Sequence, residues 1–112
     1  MNDSDVKRFR ARLLEELAAL DHEDDLGAEA QKVVTLDQQS VGRLSRMDAL
    51  QGQAMAKATQ ARREAHRMRI HAAFARMDED EFGYCTDCGE NIAPRRLELD
   101  PTVPTCISCA QG

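Results

Sequence analysis

The residues of this chain best suited to chemistry are four cysteines. They come in two close pairs, Cys85-Thr86-Asp87-Cys88 and Cys106-Ile107-Ser108-Cys109, with seventeen residues between the pairs. Two C-x-x-C pairs separated by roughly 15 to 20 residues have the ligand spacing of a zinc site. Two intervening residues let both sulfurs of a pair turn toward one point, and tetrahedral zinc takes four thiolates at about 2.3 Å. Four cysteines fill that coordination sphere and leave no position for a substrate or an activated water. Cys85, Cys88, Cys106 and Cys109 are therefore expected to hold one structural Zn2+ ion rather than a catalytic one. A redox dithiol is the competing chemistry, but it belongs to a C-x-x-C near a helix start in a βαβ setting, and no such alternation is present. His22, His66 and His71 have no mutual spacing that builds a second metal site and read as solvated surface.

A tight metal knuckle needs sharp turns and something to pack around. Gly89 after the first pair and Tyr84 before it suit the turn, and Ile92, Leu97, Leu99 and Val103 are expected to supply the packing. All three prolines (Pro94, Pro101, Pro104) lie in the last fifth of the chain, so residues 83–112 read as an irregular module.

The elements that position this module read as helices. Val6, Phe9, Leu13, Leu17 and Leu20 recur at three- and four-residue steps, one face of a helix over about 3–26, with Ser4 or Asp3 as its cap. The acidic run Asp21-His22-Glu23-Asp24-Asp25 before Gly27 marks its expected end, although a hairpin with its midpoint at Gly42 would carry it past Gly27. A tip loop over about 27–43 then leads to a second helix over about 44–82. There Met47, Ala54, Ala61, Met68 and Ala75 are seven apart, and Ala58, Ala65 and Ala72 fall four after members of that row. These are the two seam positions of a coiled coil. Gly83 is the expected stop. The fold class is mainly α: an antiparallel coiled-coil helical hairpin over 1–82, followed by a small four-cysteine zinc-finger module over 83–112.

Composition agrees. Hydrophobic residues reach 42% but are largely alanine and leucine, aromatics are 4%, and charged residues 31%, a profile of long helices. The formal net charge is −5, with 15 Lys and Arg against 20 Asp and Glu, which argues against wrapping nucleic acid, since phosphate backbones reward dense basic surface. The acidic start Met1-Asn2-Asp3-Ser4-Asp5 has no apolar leader, and no stretch approaches the roughly 18 apolar residues of a spanning helix, so a cytoplasmic protein without membrane contact is expected.

Asp80-Glu81-Phe82-Gly83-Tyr84-Cys85, Cys88-Gly89, Ile92, Arg95-Arg96-Leu97-Glu98, Pro101 and Cys106-x-x-Cys109 together resemble the DksA/TraR family of C4-type zinc-finger proteins. The resemblance is dense from about 78 to 109 and rests upstream on the coiled-coil character and on Leu44-Ser45-Arg46-Met47-Asp48-Ala49. It implies a monomeric regulator that inserts its hairpin into the secondary channel of bacterial RNA polymerase and shifts initiation without reading DNA sequence. Asp48 and Ala49 stand nearest the family's tip aspartate and alanine, though here they adjoin, and Ser45 stands where a further aspartate is expected. Arg69, Arg95 and Arg96 are the expected basic contacts with the partner. Relatives that bind the alarmone ppGpp carry an arginine where this chain has Asp100 and a lysine where it has Ala110; an acid beside a pyrophosphate repels it, so ppGpp dependence is expected to be weak or absent. The other basic residues of the second helix, among them Lys57, Arg62, Arg63, Arg67 and Arg76, are expected to divide between that partner and acids of the first helix. The rival class is a zinc-stabilised coiled-coil adaptor that binds another assembly or dimerises through its alanine-rich seam. No nucleophile, base and orienting group can be assembled from the sequence, so an enzyme is not expected.

Overall fold

The structure is a computed structural model that describes the backbone of residues 1–37 and 43–112 and the side chains of 1–27 and 47–112. Among the described residues the regular elements are α1 (Asp3–Asp37), α2 (Arg43–Asp78), α3 (Pro94–Leu99) and α4 (Ile107–Gln111), with one isolated antiparallel bridge, Tyr84 to Asn91. They form two compact units. One comprises Met1–Leu17 and Arg67–Gly112, the other Ala18–His66.

The first unit carries most of the core. Phe9 and Leu13 on α1, Ile70, Ala73 and Met77 on α2, and Phe82, Cys85, Ile92 and Leu97 beyond it are all buried. Steps of three and four residues put each helix's contribution on one stripe. The Phe9 and Phe82 rings pack at 5.7 Å between centroids, tilted by 52°. Asn2 caps α1, its Oδ1 accepting from the Asp5 amide at 2.8 Å, while Asp3 and Asp5 favour the positive end of the helix dipole. The cap is thus one residue or more upstream of the expected Asp3 or Ser4.

This burial pattern moves the boundary expected at 82/83. The cysteine module does not stand apart from the helices; it shares its core with the start of α1 and the end of α2. A segment of its length has too few apolar side chains to close a core alone.

Both expected helix ends also shift. α1 does not stop at 26 but continues to Asp37, through the acidic run and Gly27. In the second unit Asp24 accepts from Arg63 Nε at 2.6 Å, with side chains only 13% and 28% exposed for Arg63 and Asp24. A Cβ added at Gly27 would meet the Arg63 guanidinium at 3.1 Å. Gly27 therefore makes room for a cation on the neighbouring helix, and the acids serve that pairing rather than a terminus. Of the expected tip loop over 27–43, residues 27–37 and Arg43 are helical, and 38–42, with the expected hairpin midpoint Gly42, lie outside the described residues. α2 ends at Asp78 instead of 82 because Asp80 adopts a left-handed φ of 58° and closes a Schellman motif: the Glu81 amide reaches Arg76 O at 2.8 Å and the Asp80 amide Met77 O at 3.3 Å. Gly83, at φ 91°, makes the next turn rather than the stop.

The expected seam of α2 is corrected as well. Met47, Ala54, Ala58, Ala61, Ala65, Met68, Ala72 and Ala75 are all exposed. The inward heptad row is Ala49, Ala56, Arg63, Ile70 and Met77, half-buried at its start and buried at Ile70 and Met77. The two rows are two residues apart, about 200° around a helix of 3.6 residues per turn. Alanine is the best helix former and has little apolar surface to bury, so a row of alanines marks a helix without marking its inner face. Within the first unit this sets a test: Ile70→Ala is expected to lower unfolding free energy by roughly 2–5 kcal/mol, and Met68→Ala, 73% exposed, to change it by under about 0.5 kcal/mol in chemical denaturation.

Candidate metal centre

Two turns carry the sulfurs. In the first, the Gly89 amide donates to Cys85 O at 2.9 Å, with Gly89 at φ 77°, a left-handed conformation that disfavours side chains. The chain then doubles back: the Cys85 amide donates to Glu90 O at 2.7 Å and the Ile92 amide to Gly83 O at 2.8 Å, on either side of the Tyr84–Asn91 bridge. In the second turn Cys106, in extended conformation, precedes α4, whose first turn closes as the Ala110 amide reaches Cys106 O at 3.0 Å. The Thr86 amide donates to Pro104 O at 2.9 Å and ties one turn to the other.

The four sulfurs of Cys85, Cys88, Cys106 and Cys109 lie within 4.8 Å of one another. Cys88 Sγ and Cys106 Sγ are 3.8 Å apart. A tetrahedron of sulfurs about 2.3 Å from a central zinc has edges of about 3.8 Å, so this donor set fits the ion in both chemistry and size. Cys85 is buried, Cys106 and Cys109 half-buried, and Cys88 exposed.

Electrostatics separate Cys85 from Cys88 and Cys109. Burial works to push Cys85 up, but hydrogen bonds from the backbone amides of Cys106, Cys88 and Asp87 outweigh it, and its pKa falls to about 6. The Glu90 amide works to lower Cys88, yet the Cys85 sulfur, burial and the Cys106 sulfur together raise it. Cys109 is pushed far above the ordinary thiol range by the sulfurs of Cys106, Cys85 and Cys88. One thiolate forms readily and then opposes ionisation of its neighbours, so the remaining protons are best displaced by a cation.

Arginines fasten this centre to the helices, a set of contacts that sequence reasoning missed. Arg8 Nη2 reaches Glu98 Oε1 at 2.6 Å and, by that hydrogen bond, holds the Glu98 carboxyl below its ordinary range. Arg12 donates to the carbonyls of Glu98 at 2.5 Å and Leu99 at 3.4 Å, serving the C-terminal end of α3. Arg76, half-buried, donates to Thr102 O at 3.3 Å. Their partners lie 26 to 90 residues away in sequence, beyond any local pattern. Asp100 is more than an unfavourable charge: its Oδ1 accepts from the Thr102 hydroxyl at 2.6 Å and amide at 3.0 Å, fixing the turn at buried Pro101. The Asp-Pro dipeptide was the available signal.

Ile92 and Leu97 pack inward as expected and Val103 is half-buried, but Leu99 is 79% exposed. Of the expected partner contacts, Arg95 and Arg69 are exposed on the surface, Arg69 with a partner in the chain. Arg96 is half-buried and its Nε donates to Thr105 O at 3.0 Å, so it also braces the strand of chain entering Cys106. Asp48 is exposed and Ala49 half-buried on α2; Ser45 has a helical backbone, and its side chain lies outside the described residues. Asp48 and Ala49 belong to the second unit, the arginines to the first.

Comparison with known proteins agrees with this geometry. Residues 80–112 match the family model for the prokaryotic dksA/traR C4-type zinc finger. The RNA polymerase-binding transcription factor DksA of Haemophilus influenzae is 51% identical over 41 residues, which are 37% of this chain and 28% of that protein. The corresponding factor of Escherichia coli K12 is 42% identical over 41 residues, 37% of this chain and 27% of its own length. The matched stretch thus spans little more than a quarter of these curated relatives. Transcription factor DksA2 from Pseudomonas aeruginosa shares the fold with a TM-score of 0.86 at 20% identity, over 98% of this chain and 83% of that one. Residues 80–112 are thus similar to the C4-type zinc finger of the DksA/TraR family, with the four cysteines clustered as such a site requires, and the likeness to DksA2 is one of fold.

Proposed function

We propose that this chain is a monomeric, cytoplasmic, non-enzymatic regulator that binds bacterial RNA polymerase through its secondary channel and alters transcription without reading DNA sequence. The observation that carries the reading is a C4 finger matched at 51% identity to a polymerase-binding factor, set in a chain whose fold follows DksA2 over 98% of its length. No described helix is long and apolar enough to cross a membrane, and the net charge of −5 opposes direct binding to a phosphate backbone.

In this reading Cys85, Cys88, Cys106 and Cys109 hold one zinc ion with a structural role: bound zinc offsets half of the thiolate charge and locks the two turns together. Arg8, Arg12, Arg76 and Arg96 transmit that order to the helices. Asp48, with Ala49 and Ser45 nearby in sequence, presents charge to the polymerase, and Arg69 and Arg95 contact its surface. ppGpp contributes little, because Asp100 places a carboxylate, already engaged with Thr102, where cationic recognition of a pyrophosphate is needed.

Elemental analysis of protein purified without chelator is expected to give one zinc per chain. Cys88→Ser should weaken zinc affinity by more than the roughly 10- to 100-fold that loss of an outer partner costs. Because Cys88 and Cys109 hold their protons in the metal-free state, loading must displace them, so zinc affinity measured against a chromophoric chelator should rise with pH and fall further below about pH 6, where Cys85 also protonates. Pull-down with core RNA polymerase should retain both wild type and Asp48→Asn, with transcription in vitro altered by the first and not the second. No retention at micromolar concentration would point instead to an adaptor for another assembly. Adding ppGpp should leave the wild-type effect unchanged; Asp100→Asn, which removes the charge and keeps the acceptor for Thr102, tests whether the carboxylate is the reason.

A further inference from the structure

The second unit holds a charged layer where its helices otherwise meet through small side chains. The described residues of α1 that lose exposure there are Leu20, Asp24 and Gly27, and those of α2 are Ala49, Gln53, Ala56, Arg63 and His66. Arg63 Nε lies 2.6 Å from Asp24 Oδ1, with side chains 13% and 28% exposed, whereas the Arg8–Glu98 and Arg10–Asp78 pairs of the first unit leave every side chain at least 40% exposed. A Cβ at Gly27 would come within 3.1 Å of the Arg63 guanidinium. The cation thus occupies a slot shaped for it as well as facing an anion.

Apolar burial does little to choose the alignment of these helices. Ala54, Ala58, Ala61 and Ala65 cover the outward side of α2, so rotating the helix exchanges one methyl row for another. Sliding it by one heptad would instead set Ala56 or Ile70 against Asp24, leaving a partly buried carboxylate without its cation. A single polar layer in an otherwise uniform helix pair is the device that specifies register.

We propose that the Arg63–Asp24 pair, seated over Gly27, is a positioning device for Asp48: it fixes the rotation and axial register of the stretch of α2 that presents that carboxylate. The use of Asp48 rests on the reading of this chain as a polymerase regulator; the register itself does not. Asp48 adjoins Ala49, which lies on the same inward row as Arg63, about 22 Å farther along α2 at roughly 1.5 Å per residue. A slip of one residue moves the carboxylate by about 1.5 Å, and a rotation by one residue turns it by about 100°. Arg63 therefore acts on the partner through the helix and not by contact.

The test uses the full-length, zinc-loaded chain. A ketone-bearing amino acid at the exposed positions Glu23 and Lys57 takes spin labels and leaves the zinc cysteines untouched, and pulsed electron paramagnetic resonance reads the distance between the two helices. In Asp24→Leu/Arg63→Met, helical circular dichroism and melting should match or exceed wild type, since an apolar pair replaces a buried ion pair without loss of stability. The distance distribution should nevertheless shift or widen by about 1.5 Å or more, the rise of one residue. Core RNA polymerase should still retain this variant, while its effect on transcription in vitro falls about tenfold or more, because misplacing an acting group by about 1 Å can cost roughly 100-fold. Arg63→Lys, which keeps the cation, should recover the narrow distribution and most of the effect. An unchanged distribution in the double variant overturns the proposal, and so does a displaced distribution with the full transcriptional effect. Where the double variant melts well below wild type, Asp24→Asn, which keeps the shape and removes the anion, decides by the same two readouts. A wild type that does not bind polymerase ends the functional reading, and the distance measurement alone then decides whether the pair sets the register.

Discussion

Four sulfurs within 4.8 Å of one another are compatible as thiols or as ligands of a cation, and incompatible as free thiolates. That constraint organises the first unit. Ionising Cys85 is made easy by three backbone amides, and ionising Cys88 and Cys109 is made hard by the sulfurs around them. A divalent cation reverses the sign of the interaction: it turns mutual repulsion into four attractions to a common centre and ties two turns remote in sequence into one body. The two turns are themselves poor in regular structure, with one isolated bridge, the short α3 between them and the short α4 opening in the second, and the Thr86–Pro104 hydrogen bond joins them directly.

Order at the sulfurs would matter little if it stopped there. It reaches the helices by two routes. One is apolar: Phe82, Ile92 and Leu97 of the module are buried in the same core as Phe9 and Leu13 of α1 and Ile70, Ala73 and Met77 of α2. The other is polar, and it is made almost entirely by arginine. Arg12 and Arg76 donate from the long helices to backbone carbonyls of the module, and Arg96 does so from within it, to groups that short helices and turns leave without partners. A planar guanidinium with five donors can serve two adjacent carbonyls, as Arg12 does at the end of α3, where the helix dipole also favours a cation. Metal site, helix ends and arginine clips therefore belong to one cooperative unit, and a module boundary at residue 82 has no physical counterpart.

What could be read from the sequence follows from how narrowly each feature constrains its residues. Tetrahedral thiolate coordination admits few spacings, so the cysteines announce the centre without help. The stripe of α1 was legible because Phe9, Leu13 and Leu20 are large, and large apolar side chains at helical spacing have one sensible destination. The stripe of α2 was not, because alanine satisfies a helix on any face; its seven-residue repeat pointed outward while the inner row contained Arg63, a residue that looks like surface until Asp24 and Gly27 are seen opposite it. Gly27 resembled a helix stop and is a clearance; Asp80 resembled ordinary helix and is the stop. In both cases a tertiary contact or a capping geometry overrode the local rule. The arginine clips span up to 90 residues, and no periodicity encodes them.

The two units differ in what holds them. In residues 18–66 the large apolar side chains Leu26, Met47, Leu50 and Met55 are exposed, and Leu20, at the margin of burial, is the described core residue. Among the described residues of that unit, the partly buried Arg63–Asp24 pair stands out more than apolar burial does. A half-buried ion pair offsets much of its attraction by desolvation, so it selects an alignment of the helices more than it deepens their stability. Register in that unit is then set by charge and by the clearance at Gly27, whereas register in the first unit is set by packing around the sulfurs. Substituting Arg63 with a neutral residue of similar length would remove its ion pair with Asp24 while still filling the clearance at Gly27, so the alignment should loosen before the helices melt.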